Sequence, residues 1–473
     1  MADPHELTML EQAAAIRNGA LSPVELAEHY LRRIERLDDT VGAYVTVTAD
    51  RALDDARRAA DLLARRGGGD LPPLLGVPLP VKDLDPVPGV RWTAGSAVFA
   101  DRTAPPEAVT HLVALLERAG TVLLGKTSTP EFGLPAYTES RVGPPARTPY
   151  DPALGAGGSS GGAAAAVAAG LAPAAPGSDG GGSIRIPASC CGLVGLKPSR
   201  GRVSPAPLGD VSGLVTAGPL ARTVRDTAAL FDVMAGPVPG DPSPVAPPAG
   251  PFLDWCERPP GRLRIGRWAR PDVPGAEVAP EVLDAYEKTS ALLAELGHEV
   301  VEAEQPLRPG DRDAFTPVWA VLSALPPVPP EREAELMPLT RYLRDQGRAT
   351  DGVDYALALA AMQAAGRRFA AAVAPFDAVL TPTLAQLPQP VGALRDDADP
   401  AADFRAQLAF TPFTAPWNIA GLPAVSLPLG WTGAGLPVGM MLGGPHGSEG
   451  PLLSLAAQLE AAAPWRDRRP RVY

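Results

Sequence analysis

A chain of 473 residues exceeds the size at which one hydrophobic core usually stops growing, so two domains or one large α/β domain on an extended sheet is expected. Its net charge of −11 excludes a broad basic footprint for nucleic acid, and no apolar run reaches the roughly 18 residues that would span a bilayer, leaving a small molecule as the expected ligand. Three cysteines, two of them adjacent (Cys190 and Cys191), exclude an ordinary disulfide framework or zinc site and fit a cytoplasmic chain.

The N-terminus, MADPHELTML, lacks a basic stretch followed by an apolar one, so no secretion signal is expected. Ser22-Pro23-Val24-Glu25 supplies a cap, a first-turn proline and a capping glutamate for a helix over LAEHYLRRIERL. YVTV at 44–47 then reads as a strand, and ALDDARRAADLLARR as a helix stopped by Gly67-Gly68, so residues 6–66 form a helical arm. VPLPV, just before Lys82, is an apolar strand, and residues 106–119 put Val109, Leu112, Val113 and Leu116 on one helical face. Gly120 ends that helix and TVLL at 121–124 follows as a buried strand. This alternation predicts a layered α/β core over 70–230. Proline-rich stretches at 237–250 and 325–335 mark a variable, largely helical insertion over 237–375. DAVLTPT at 377–383, AVSLPL at 424–429, PVGMML at 437–442 and the helix PLLSLAAQLEAA complete the core from 376 to 473. One discontinuous domain over 1–473 is therefore expected: a large mixed sheet flanked by helices.

Chemistry concentrates in residues 155–200, where glycines crowd two serine clusters, GGSSGG at 157–162 and GSDGGGS at 177–183, separated by an alanine-rich helix. GGSSGG alone reads as a flexible linker, but a linker does not run into a helix and a second glycine–serine cluster. Glycines let successive N–H groups turn inward toward a developing anion, which acyl transfer from an amide requires. Ser183 is the natural nucleophile. The five histidines (His5, His29, His111, His298 and His446) lie away from the serines in sequence, so a lysine base is considered. Lys82 alone, beside Asp83, reads equally as a solvated ion pair, although the preceding apolar strand would bury it and favour its neutral form.

With VKDL at 81–84, GGSSGG and GSDGGGSIRIP at 177–187, the sequence resembles the amidase signature family of serine hydrolases, in its bacterial amidase type. GKTSTPEFG at 125–133, CGLVGLKPSRGRV at 191–203 and APWNIAGLPAVSLPLG at 415–430 extend the resemblance over the full length. It implies Ser183 as nucleophile, Ser159 as a bridging serine on a cis peptide, Lys82 as proton acceptor, and the N–H groups of Gly180, Gly181, Gly182 and Ser183 as an oxyanion hole. Ser160, Ser178, Asp179 and Arg185 match positions that either brace the loop or touch substrate. Tyr137, Thr138 and Trp417 fall in segments that line the pocket in the family, or are structural. Where Gly180 stands, members usually carry a threonine or a β-branched residue. The implied reaction is hydrolysis of amide-type C–N bonds (amide, anilide, carbamate or ester) in a small, neutral, hydrophobic substrate, with no cofactor or metal. A homodimer is one assembly considered. The alternative is a glutamine-hydrolysing subunit of a tRNA-dependent amidotransferase.

Two decoys need physical answers. Gly120–Thr127 satisfies the spacing of a phosphate loop, but a helix precedes it, TVLL is strand-like and Pro130 blocks a following helix. Cys190 and Cys191 sit among small apolar residues that raise a thiol pKa, so core packing is their expected role.

Overall fold

Ser22 caps the helix Pro23–Val41, its hydroxyl accepting from the N–H groups of Val24 and Glu25, with Pro23 in the first turn where no amide is missed. The computed structural model describes residues 3–67, 70–207, 209, 211–308 and 310–473. The second helix, Ala49–Arg66, ends on Gly67 in the left-handed region, and Gly68 lies outside the described residues. Ala27 of the first helix packs on Ala52 and Ala56 of the second and on Val122 beneath them, because small side chains allow close approach. The helix expected over 106–119 is shorter, His111–Arg118. Thr110 accepts from Val113 N and so starts it, leaving Val109 outside.

Among the described residues eleven strands follow in chain order: β1 (Tyr44–Val47), β2 (Pro78–Lys82), β3 (Val122–Thr127), β4 (Ala174–Asp179), β5 (Val194–Lys197), β6 (Thr216–Ala221), β7 (Arg264–Arg267), β8 (Glu299–Glu302), β9 (Ala378–Pro382), β10 (Ala424–Trp431) and β11 (Pro437–Gly443). The first three form a small sheet of order β1-β3-β2. The other eight form a mixed sheet, β4-β6-β5-β10-β11-β9-β7-β8, parallel only at β9-β7-β8. The helix Gly161–Ala168, buried along its whole length, lies between the two sheets and touches both. Its run of alanines lets strands approach from several sides at low side-chain entropy cost.

Residues 237–375 are largely helical, and they also supply two strands of the large sheet. β7 and β8 close the edge of the large sheet, β7 pairing with β9 in register Ile265↔Ala378, while the helix Phe315–Ala324 packs its apolar face toward Leu214 and Ile419. Short strands with little period-two alternation hid this from sequence. Among the described residues, no helix is long and apolar enough to cross a membrane.

Candidate active site

β2 delivers Lys82 at its end, and β2 packs beside β4, whose end delivers Ser178 and Asp179, so the two sheets meet at the serine clusters. Lys82 is fully buried, and its Nζ lies 2.8 Å from Ser159 Oγ, 2.9 Å from Ser160 Oγ and 3.0 Å from Ser178 Oγ. Burial pushes the Lys82 pKa down to about 7, against the opposing pull of Asp85 and Asp179. Ser160 Oγ donates to Ser178 O, so toward Lys82 it can only accept. The Lys82 amine donates to all three hydroxyls.

The Gly158–Ser159 peptide is cis. A Cβ on Gly158 would fall 2.7 Å from the backbone carbonyl carbon and oxygen of Tyr137, so only glycine lets the serine loop lie on residues 137–138. Thr138 holds it there: its hydroxyl donates to Gly157 O (2.8 Å) and accepts from Gly161 N (3.2 Å). Tyr137 donates to Asp403 at 2.8 Å. Trp417 is a core residue, edge-on to Phe369. None of these three expected pocket residues lines the cavities at Ser183.

Asp179 and Arg185 form a bidentate pair, Nε to Oδ2 at 3.0 Å and Nη2 to Oδ1 at 2.9 Å, with both side chains buried. Burial alone would raise the Asp179 carboxyl, but Arg185, Lys197 and Asn418 outweigh it and hold it at about 2. Arg185 also donates to Thr414 O and Asn418 Oδ1, and Asn418 Nδ2 to Asp179 O and Leu214 O. Asn418 is a brace that sequence reading missed, one residue from the tryptophan it chose. The aspartate in turn accepts from Gly182 N (2.8 Å) and Ile184 N (3.1 Å), which fixes the turn on either side of Ser183. This corrects one expected oxyanion donor: the Gly182 N–H is already committed to Asp179, leaving those of Gly180, Gly181 and Ser183. Arg185→Leu strands a buried carboxylate and is expected to cost about 3–5 kcal/mol. A chemical-denaturation midpoint unchanged from the parent would refute it.

Ser183 stands between two cavities. One, of about 320 Å³, is walled by Ser159, Ser178, Phe132, Leu134 and Trp319 along with Asp85; the other, of about 50 Å³, by Gly181, Ile186, Phe315 and again Trp319. No hydrogen bond joins Ser159 Oγ to Ser183 Oγ in this state. Trp319 sits against Gly180, where a Cβ would be 3.1 Å from its ring, so the departure from a β-branched residue at 180 makes room for the indole. Gly120–Thr127 contains no phosphate loop. Residues from Val122 on are β3, and the buried Lys126 pairs with Asp83 Oδ1 at 3.3 Å and bonds Asp85 O. Cys190 and Cys191 are buried in the core, and burial raises both thiols, Cys191 to about 12.

The Amidase family profile matches residues 25–453. The chain belongs to the amidase signature family. A putative amidase of Synechocystis sp. is 36% identical over 96% of this chain and 88% of its own length. The 6-aminohexanoate-cyclic-dimer hydrolase of Paenarthrobacter ureafaciens is 34% identical over 98% of this chain and 96% of its own. Among solved structures, a 6-aminohexanoate cyclic dimer hydrolase superposes with TM-score 0.91 at 32% identity, covering 100% of both chains. A bacterial aryl acylamidase of the same family superposes with TM-score 0.89 at 26% identity, again over both whole chains. This amidase signature chain is accordingly an amide-hydrolysing enzyme, and its mixed sheet flanked by helices is the family fold.

Proposed function

We propose that the enzyme cleaves small, largely hydrophobic amides through an acyl-enzyme on Ser183, with Ser159 and neutral Lys82 as the proton relay. The observation that carries this is a fully buried lysine whose amine meets three serine hydroxyls within 3.0 Å, a burial that pushes its pKa down to about 7. In the forward step Lys82 takes the Ser159 proton as Ser159 takes that of Ser183, and Ser183 Oγ attacks the carbonyl carbon. The relay requires a Ser183 rotamer that brings its Oγ to Ser159 Oγ. The N–H groups of Gly180, Gly181 and Ser183 receive the oxyanion, each such donor being worth about 3 kcal/mol in the transition state. The relay then runs backwards: Ser159 protonates the departing nitrogen and recovers its own proton from Lys82. Water deacylates Ser183 by the same route. Anilides, carbamates and esters present the same carbonyl to the same groups.

Because Ser159 must reach the leaving nitrogen, the larger cavity, which it lines, takes the amine half, and the smaller cavity takes a short acyl group. A chain related to an aryl acylamidase and a cyclic-dimer hydrolase fits this reading of amide substrates. The test is a panel of primary amides, anilides, carbamates and esters, with acid-quenched digests examined by mass spectrometry for acyl groups. An acyl mass on the peptide containing Ser183 is expected, and turnover with acylation elsewhere would overturn the reading. Trp319→Ala removes the wall common to both cavities and is expected to raise the preference for a benzoyl over an acetyl group about tenfold. An unchanged ratio of kcat/KM would contradict that division of the site.

A further inference from the structure

The larger cavity has one charged wall. Of the side chains that line it, among the described residues, only Asp85 is ionisable as an acid or base; the rest are apolar or are serines and threonines. Asp85 follows Lys82 by a tight turn, its N–H donating to Lys82 O at 3.0 Å, and is partly exposed to the cavity. Burial raises its carboxyl, Lys126, Lys82 and Thr110 draw it back down, and no lysine, arginine or histidine nitrogen stands within ion-pair distance of it among the described residues. The two nearby lysines make their close contacts elsewhere: Lys126 pairs with Asp83 Oδ1, and Lys82 Nζ meets the serine hydroxyls. An otherwise apolar pocket thus holds a carboxylate with no cation of its own, on the side where Ser159 requires the leaving amine to lie. A half-buried carboxylate with no cation in ion-pair contact carries a desolvation cost, and a ligand that brings a cation into contact recovers part of that cost on binding.

We propose that Asp85 recognises a second, protonated amino group on the amine half of the substrate, so that the preferred substrates are short-chain acyl amides of diamines or aminoalkyl amines. This rests on the serine hydrolase reading above and replaces uniform neutrality of the substrate with one cation at the far end. The apolar walls, Leu84, Leu112, Phe132 and Val215 among them, suit the methylene chain between the two nitrogens.

The probes are N-(aminopentyl)acetamide and its isostere N-hexylacetamide, which differ by an ammonium in place of a methyl group. Wild-type enzyme is expected to favour the ammonium substrate in kcat/KM, Asp85→Asn to reduce that ratio about ten- to a hundredfold, mainly through KM, and Asp85→Glu to restore part of it. A group that only tunes Lys82 or supports the fold would slow both substrates alike and leave the ratio unmoved, which would overturn the proposal. So would a wild-type preference for N-hexylacetamide. Calorimetric binding of both compounds to Ser183→Ala, with and without Asp85→Asn, separates recognition from catalysis. Ammonium-selective binding that Asp85→Asn abolishes supports the proposal even where turnover fails and sinks the hydrolase reading alone. Equal binding of the two compounds overturns it. Thermal unfolding of each variant confirms that the folded chain is being compared.

Discussion

Ser183→Ala is expected to lower kcat/KM on the best amide of the panel by about four to six orders of magnitude while leaving the unfolding temperature nearly unchanged. The side chain is small, stands at the cavity wall, and makes no hydrogen bond through its hydroxyl that holds the fold; its carbonyl, which accepts from Ser160 N, survives the substitution. Asp179, Arg185 and Asn418 hold the turn through backbone groups on either side, so the oxyanion donors remain in place. The residual rate is then what positioning and the donors alone supply. A variant retaining a tenth of the parental rate would remove Ser183 from the chemistry.

Lys82→Met is expected to abolish the relay, with a loss of at least about three orders of magnitude. Its second signature is in pH. In the proposed relay the active form is the neutral amine, so the parental rate is expected to climb as pH rises through about 7 and to level above it. Lys197, also buried and also pushed to about 7 by burial and by Arg185, could mimic that limb, but its Nζ bonds Pro198 O and none of the serines. The limb is therefore expected to survive in Lys197→Met. Stability moves the other way. A lysine that titrates near 10.4 in the unfolded chain and near 7 in the fold penalises folding by about 4–5 kcal/mol below pH 7, and the penalty fades as pH rises toward 10.4. Lys82→Met removes it, less what the three serines lose with their partner. The variant is expected to melt above the parent at pH 6, by a margin that narrows by pH 9. A parent that melts higher at both pH values would show that Lys82 is not held neutral.

How much of this could be read from the chain varies with the physics of each part. Caps and stops are local chemistry, and Ser22, Pro23 and Gly67 stand where their residue types require. Lys82, Ser159 and Ser178 come together because apolar strands and glycine loops leave their polar groups no partners but one another. The braces were not legible. Nothing near Asn418 in sequence points to Asp179, and the family segment that singles out Trp417 does not show that its neighbour is an amide able to donate and accept at once. The small β1-β3-β2 sheet also escaped, since its strands look like those of the large sheet and only pairing separates them. Gly182 was counted as an oxyanion donor because sequence cannot show that a neighbouring carboxylate has already claimed its N–H. The role of Trp319 lay in a segment read as an insertion, 139 residues beyond the glycine it leans on in the order of the chain, where no local pattern could join them.

The bonds from Arg185 and Asp179 to Thr414 and Asn418 join residues 229–239 positions apart. At about 5–20 residues per second, a ribosome needs roughly ten to fifty seconds to make that stretch. Through that interval Ser183 has been synthesised while the groups that set its loop have not. In a nascent chain the Ser183 loop therefore stays without its Thr414 and Asn418 braces until those residues have been made.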